Sequence, residues 1–195
     1  MKKFSILLIF AGIFILALGA YQWFKTEKEQ NQSLAEAQAL LGEKETMENI
    51  TTPEDANSFA PSMSETVGIL HIPKLDSDLP IVEGTDEDEL EKGVGHYKGT
   101  AYPLQNDQIV LSGHRDTVFR RMGELEHGDV LTMKLPYGDF SYEIVDTKVV
   151  KADDLTIISS TAPDEILTVT TCYPFSYIGS APDRYIITAI PIPEK

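Results

Sequence analysis

The stretch Ile166-Leu-Thr-Val-Thr-Thr-Cys-Tyr-Pro-Phe175 joins a run of β-branched residues to the only cysteine of the chain. Such a run, closed by a proline, is typical of a strand that ends at a turn. Cys172 stands twelve residues before Arg184 and fifty-eight after His114. A thiol can attack an acyl carbon, an imidazole can move protons and a guanidinium can hold negative charge. Covalent acyl transfer is therefore the first functional hypothesis.

The strand pattern covers roughly the last two thirds of the chain, from residue 67 onward. Pro136-Tyr-Gly-Asp139 is a hairpin signature, and brief helices are predicted at 86–92 and around 118–124. Many short strands favour a closed barrel or a sandwich, because closure hides the edge strands. The strand-like runs lie at 67–72, 79–82, 108–111, 130–135, 140–150, 166–171 and 185–190.

An apolar block of twenty-one residues without a charge occupies 4–24, between Lys2-Lys3 and Lys25. A helix rises about 1.5 Å per residue, so this block matches the roughly 30 Å hydrocarbon core of a bilayer. The two lysines favour a cytoplasmic N-terminus and an extracellular domain at the cell membrane. A signal peptide cleaved near Ala17-Leu-Gly19 is the alternative, but the block is longer than a usual h-region, which favours a retained transmembrane anchor.

The composition divides the chain into three parts. Residues 1–25 form the cytoplasmic tip and the anchor. Residues 26–66 form an extracellular linker, helical where Glu, Gln, Lys and Ala dominate and flexible where Pro, Ser and Thr collect. Residues 67–195 form the β-domain.

The formal charge of −15 argues against nucleic acid as a partner, because phosphate would be repelled. The acid run at 86–91 is interpreted as a solvated helix face, with a site for a divalent cation such as Ca²⁺ as the alternative. No cofactor is otherwise expected. A lone cysteine forms no intramolecular disulfide, so Cys172 is either a reactive thiol or a small buried hydrophobe.

Three motifs resemble the His, Cys and Arg motifs of the sortase family in order and spacing. They are Leu111-Ser-Gly-His-Arg-Asp-Thr117, Thr168-Val-Thr-Thr-Cys-Tyr-Pro174 and Asp183-Arg-Tyr-Ile186. Sortases usually have Thr-Leu-x-Thr-Cys, so Val169 is a conservative departure. The resemblance covers 67–195 and implies an all-β fold, a closed eight-stranded barrel with one or two short helices. The N-terminal anchor favours class D, with class A as the close alternative.

The resemblance also implies the site and its partners. Cys172 would attack the Thr carbonyl of a Leu-Pro-x-Thr-Gly-like or Leu-Pro-x-Thr-Ala-like sorting signal, giving a thioacyl enzyme. His114 would act as general acid and then as base, and Arg184 would bind the carbonyl or the oxyanion. The donors would be secreted proteins with a C-terminal sorting signal, and the acceptor an amine of a cell-wall precursor or of another protein.

Other functions stay open at this point. A cysteine peptidase or another acyl transferase could use the same triad, and a non-catalytic, surface-displayed binding domain would need no triad. An L,D-transpeptidase is disfavoured because Pro174 stands where that family carries an arginine. For Arg184, an ion pair with Asp183 or another acidic residue is the structural alternative.

The remaining basic residues are given structural roles. His96 follows a glycine and is interpreted as part of a turn or groove wall, while His71 and His127 are interpreted as packed or solvated imidazoles. Surface cations, or partners for acidic residues, are expected at Arg115, Arg120 and Arg121.

Overall fold

Eight strands close into a barrel in the computed structural model, which describes residues 2–42, 56–176 and 179–193. Helix α1 (Lys2–Gly42) precedes the barrel, and helix α2 (Glu87–Lys92) follows the second strand. Single turns of 3₁₀ helix occupy three of the connections, at Pro73–Leu75, Met122–Glu124 and Leu155–Ile157. The strands are β1 (Thr66–Ile72), β2 (Ser77–Glu83), β3 (Val94–His96), β4 (Gln108–Gly113), β5 (Val130–Leu135), β6 (Gly138–Lys151), β7 (Ile166–Tyr173) and β8 (Asp183–Pro191).

The barrel has the spatial order β1-β2-β3-β4-β7-β8-β6-β5, and β5 pairs back onto β1. The pairs β2–β3 and β4–β7 are parallel, while the other pairs are antiparallel. Among the eight described strands, closure of the barrel leaves no unpaired edge for another chain to join. The predicted closed eight-stranded barrel, with a long apolar helix before it, is confirmed.

Alternation along each strand decides which side chains fill the barrel. On β5, Leu131, Met133 and Leu135 are fully buried, while the residues between them are partly exposed. On β7 the buried aliphatic side chains are Leu167 and Val169. Burying an aliphatic side chain of this size contributes about 1.5–3 kcal/mol, so the alternation is strongly determined. Because successive residues face opposite sides of a sheet, Thr168, Thr170 and Cys172 lie on the outer surface of the barrel.

The predicted hairpin at Pro136–Asp139 is present, with β5 and β6 paired up to Leu135 opposite Gly138. One strand was not predicted: β3 has only three residues, and its glycine suggested a turn. The helix expected around 118–124 is reduced to the 3₁₀ turn Met122–Glu124. The prediction of a solvated acid face on α2 is wrong for Glu89, which is buried and accepts a hydrogen bond from Ser64 Oγ.

Helix α1 continues without a break past residue 25, where the anchor was expected to end. It is the one helix in the described residues that is long and apolar enough to cross a membrane. Its second half contacts β1, β2 and α2, where Ala37 is fully buried and Lys25 Nζ lies 2.7 Å from Glu91 Oε2. Residues 43–55 of the predicted linker lie outside the described residues. The division at residues 25 and 66 therefore stays a prediction.

Candidate active site

His114, Cys172 and Arg184 line one cavity of about 250 Å³ on the outer surface of the barrel. Its floor is the parallel pair β4–β7, through Val110, Ser112 and Thr170. One wall carries Thr85, Leu90 and Tyr97, and the other is the connection between β6 and β7, with Ala152, Asp154, Leu155, Ile157 and Ile158. The three residues singled out in the sequence therefore share a cleft with apolar walls.

Cys172 is a free, half-buried thiol near the end of β7. The register pairs it directly with Arg184, the second residue of β8. Side chains of directly opposed residues lie on the same face, with Cβ atoms about 4.5–5.5 Å apart. Strand pairing therefore places the backbone and Cβ atoms of Arg184 beside those of Cys172, and both residues line the cleft.

Arg184 is anchored by main-chain oxygens rather than by a carboxylate. Its Nη1 donates to Ala181 O at 3.3 Å and to Asp183 O at 3.0 Å. The Asp183 carboxylate instead accepts from Lys151 Nζ at 2.9 Å. The alternative of an Arg184–Asp183 ion pair is therefore not observed. A guanidinium has five N–H donors, so Arg184 keeps donors for an oxygen in the cleft.

His114 lies one residue beyond β4, on a turn closed by its own carbonyl oxygen. That oxygen accepts from Phe119 N at 3.0 Å and Thr117 N at 3.3 Å. The turn requires glycine before it, because a Cβ on Gly113 would lie 2.6 Å from the Phe119 ring. The His114 imidazole is half-exposed in the cleft and makes no hydrogen bond to the described residues. Its nitrogens are thus accessible to a bound substrate.

The threonines before Cys172 have separate roles. Thr171 Oγ1 donates to Gly113 O at 2.7 Å and so ties the end of β7 to the end of β4. Thr168 Oγ1 accepts from Gln108 Nε2 at 2.9 Å. Both hydroxyls are therefore satisfied by hydrogen bonds. Thr170 Oγ1 is buried beside the cleft and has no partner within the described ranges.

The wall formed by the β6–β7 connection is fastened by residues that the sequence did not single out. Gln108 Nε2 donates to Ile157 O at 2.7 Å, and Gln108 Oε1 accepts from Ser159 N at 2.9 Å. Asp107 accepts from Thr161 N at 2.6 Å. Backbone N–H groups of Gln108 and Thr161 lower the pKa of Asp107, so it holds this wall as a carboxylate.

His96 lies on strand β3 and is buried on the interior side of the barrel, so the prediction that it forms part of a turn or groove wall is wrong. Its Nδ1 lies 2.7 Å from Glu83 Oε2 and its Nε2 lies 2.9 Å from Ala101 O. The ring stacks on Tyr102 at 3.9 Å, and Tyr102 also donates to Glu83. Burial opposes ionisation of Glu83, but the hydrogen bonds from His96 and Tyr102 outweigh it and lower the pKa of that carboxyl.

The other two histidines lie outside the cleft. His71 Nδ1 lies 2.7 Å from the partly exposed Asp78 carboxylate, and His127 is exposed in a turn. These positions agree with solvated imidazoles.

The surface role expected for Arg115 is wrong. Arg115 is only 6% exposed, and its guanidinium donates to Pro174 O at 3.2 Å, Gly179 O at 2.8 Å and Asp116 Oδ1 at 3.2 Å. By contrast, Arg120 and Arg121 are exposed, as expected, and Arg121 pairs with Glu124 at 2.8 Å. The acceptors of Arg115 are mainly carbonyl oxygens about sixty residues away along the chain, and no sequence motif predicts these contacts.

Larger cavities lie elsewhere but lack the chemistry. One of about 370 Å³ lies beside the β5–β6 hairpin, and one of about 670 Å³ lies between α1 and the turn after β4; neither has a thiol or an imidazole in its lining. Within the described ranges, no group of three or more His, Cys, Asp or Glu side chains could hold a metal ion.

Comparison with known proteins leads to one family. The Sortase domain family model matches residues 70–192. Sortase D of Bacillus subtilis (strain 168) is 52% identical over 190 residues, which are 95% of this chain and 96% of that protein. Sortase A of Bacillus anthracis is 23% identical over 177 residues, 85% and 84% of the two chains. The solved structure of a Clostridium perfringens Sortase D5 transpeptidase has a TM-score of 0.66 and 26% identity, covering 80% of this chain and 98% of the other.

Proposed function

The chain belongs to the sortase family of cysteine transpeptidases, and we propose that it attaches secreted proteins to the cell envelope through a thioacyl intermediate on Cys172. The observation that carries this proposal is the shared cleft of His114, Cys172 and Arg184, with Cys172 and Arg184 paired across adjacent strands. Family membership removes the non-catalytic binding domain from consideration. Identity of 52% to a Sortase D, against 23% to a Sortase A, favours class D.

In the first half-reaction, the Cys172 thiolate attacks the Thr carbonyl carbon of a Leu-Pro-x-Thr-Gly-like or -Ala-like sorting signal. A C–S bond forms and the carbonyl electrons move to oxygen, where Arg184 donates hydrogen bonds to the oxyanion. The C–N bond then breaks, and His114 gives its proton to the leaving amine. The products are a thioester on Cys172 and the released C-terminal segment.

In the second half-reaction, an amine of a cell-wall precursor, or of a second protein, attacks the thioester. His114, now neutral, takes the proton from that amine, and the thiolate leaves as the new amide forms. Water can replace the amine at this step, which would give the hydrolysis expected of a cysteine peptidase. The accessible His114 nitrogens and the free donors of Arg184 suit both half-reactions.

The walls of the cleft suit an extended peptide with an apolar side chain. Leu90 lines one side, and Leu155, Ile157 and Ile158 line the other. Leu155 is 72% exposed, although it lies on a wall that Gln108 holds in place. Apolar side chains at the rim of a cleft mark a surface that a ligand covers. We propose that the leucine and proline of the sorting signal bind here.

We further propose that α1 is retained as a single-pass anchor, with a cytoplasmic N-terminus and the barrel outside the cell. The apolar part of α1 is fully exposed, as a lipid-facing helix requires, and its second half packs on the barrel. The proposed parts remain an anchor at 1–25, a linker at 26–66 and a catalytic domain at 67–195. Mass spectrometry of the protein extracted from membranes would give the retained N-terminus, and a mass lacking residues 1–19 would contradict the anchor.

The function is tested with the full-length chain in detergent micelles. The protein is incubated with a mixed set of candidate pentapeptides, with and without added amines, and adducts are read by mass spectrometry. We expect one peptide class to leave a thioester on Cys172 and an amide product that depends on the amine. Cys172→Ala is the matched control and should form neither. Equal cleavage by that variant, or an adduct mapped to another residue, would contradict the proposal.

A further inference from the structure

Two loops of the barrel meet beside the cleft. One is the turn after β4 that carries His114, and the other is the β7–β8 connection, which lies between Tyr173 and Asp183. The Phe175 ring packs on Gly123, where a Cβ would come within 2.8 Å of the ring. The Thr171 hydroxyl donates a hydrogen bond to Gly113 O and so joins the end of β7 to the end of β4. His114 therefore lies on one of these loops, and Cys172 and Arg184 lie on the strands at the two ends of the other.

Arg115 lies between these loops and is buried. Its Nη1 and Nη2 donate to Pro174 O and Gly179 O, two residues after Cys172 and five before Arg184. Its Nε donates to Asp116 Oδ1 on its own loop, and that carboxylate is 73% exposed. One planar guanidinium thus joins the turn of His114 to two points of the connection that links Cys172 with Arg184.

We propose that Arg115 is a positioning residue that fixes the His114 imidazole relative to the Cys172–Arg184 pair. This inference rests on the proposed function, because it assigns no new chemistry to the cleft. Arg115 does not line the cleft, and its contacts to the β7–β8 connection are made through the main-chain carbonyls of Pro174 and Gly179. Proton transfer needs heavy atoms about 2.6–3.2 Å apart. A displacement of about 1 Å can cost a hundredfold in rate.

A lysine at this position would keep the charge but lose the geometry. Its ammonium is a compact donor on a flexible stem, whereas the guanidinium fork reaches two carbonyls at fixed angles. The loop would therefore be held at one point rather than two. A glutamine would lose both the charge and most of the donors. The two substitutions separate the contribution of geometry from that of charge.

The test uses the full-length chain in micelles, with Arg115→Lys, Arg115→Gln and the control Arg120→Lys. Arg120 lies on the same turn and also donates to a main-chain oxygen, that of Asp116, but it is exposed. We expect kcat to fall about 10-fold for Arg115→Lys and about 100-fold for Arg115→Gln. KM should change less than about threefold, since the walls at Leu90 and Leu155 are untouched. Arg120→Lys should match wild type.

Two measurements separate positioning from a general loss of structure. Rates are expressed per reactive Cys172 thiol, titrated with an alkylating reagent, after the unfolded fraction measured by circular dichroism has been subtracted. In a further variant, Arg115→Ala, guanidinium ion at a concentration that leaves the wild-type unfolding temperature unchanged should restore part of kcat, and it should leave the kcat of Arg120→Lys unchanged.

Normal kcat per thiol in the Arg115 variants, or a rise in KM with kcat unchanged, would overturn the positioning role while leaving the proposed function intact. Absence of a Cys172 adduct in the wild-type chain would overturn both. The two failures are therefore distinguishable in one set of experiments.

Discussion

His96 and His114 each follow a glycine and lie at the ends of neighbouring strands, yet they occupy opposite sides of the sheet. His96 is 1% exposed, and both of its nitrogens face oxygen acceptors. His114 is half-exposed in the cleft, and its ring has no hydrogen-bond partner in the part of the chain that the structure describes. Proton transfer therefore depends on which imidazole nitrogens the fold leaves accessible, since both residues are histidines.

The two sites also differ in what they contribute to stability. Glu83 accepts from His96 and Tyr102, and a hydrogen bond to a charged group contributes about 1.5–3 kcal/mol. This network joins β2 and β3 to the loop that leads into β4. The cleft beside His114 contains instead an unpartnered Thr170 hydroxyl and a free thiol. The interior network stabilises the fold, and the outer cleft keeps groups available for substrate.

The largest expected effect separates the two histidines by activity. His114→Ala should lower acyl transfer about 10²- to 10⁴-fold, because a positioned acid and base is lost. The unfolding temperature should stay within a few degrees, because the ring has no partner to lose among the described residues. Peptide cleavage assays and circular dichroism would measure both. Activity near that of wild type would reverse the assignment of the two histidines.

The next effect is on stability. His96→Ala should lower the free energy of unfolding by about 3 kcal/mol, because it removes one of the two side-chain donors to the buried Glu83 carboxylate and the ring that stacks on Tyr102. In a chain of this size that corresponds to a fall in Tm of roughly 10 °C. The molecules that remain folded should keep their kcat per reactive thiol. Loss of kcat without loss of stability would indicate a catalytic role for His96.

A smaller effect concerns acid stability. The pKa of Glu83 is lowered below its ordinary value of 4.5, so the ionised carboxylate stabilises the folded state relative to the unfolded state. This contribution is fully present above the unfolded pKa and is lost as pH falls from about 4.5 through the lower folded value. Thermal unfolding at a series of acidic pH values should show a steeper decline for wild type than for Glu83→Gln. Parallel curves would contradict the role of this carboxylate.

The smallest effect is expected at His71. Its pair with Asp78 is about one third exposed on each side, and such pairs contribute about 0–1 kcal/mol. His71→Ala should therefore change the free energy of unfolding by less than about 0.5 kcal/mol and leave kcat unchanged. Measured beside His114→Ala, it controls for removal of an imidazole in general.

The sequence predicted most of the barrel because the signals it carries are local. Seven strands have runs of alternating or β-branched residues long enough to recognise, and the Pro136–Asp139 turn defines its own hairpin. The strand β3 was not predicted, because three residues are too few to show an alternating pattern. Its conformation is determined by its pairing with β2 and β4. Sequence order alone does not encode such non-local pairing.

The candidate site divides in the same way. Cys172, His114 and Arg184 were recognisable because three motifs occur in order, and strand register then explains why two of them are neighbours. The roles of Arg115, Asp107 and Gln108 were not predicted, because their partners include main-chain groups 49 to 59 residues away along the chain. A carbonyl oxygen or amide N–H belongs to every residue, so no side-chain pattern reveals which one will be bound.

Helix α1 continues for eighteen residues beyond Phe24 and packs on the barrel along that length. That part spans about 27 Å. With the apolar part in a bilayer, as proposed, this rigid helical segment would hold the catalytic domain at a fixed distance from the membrane. A flexible linker would instead let the domain move. The opening of the cleft would then keep a constant height and orientation above the lipid surface. Exported substrate proteins could therefore reach it only from a limited range of directions.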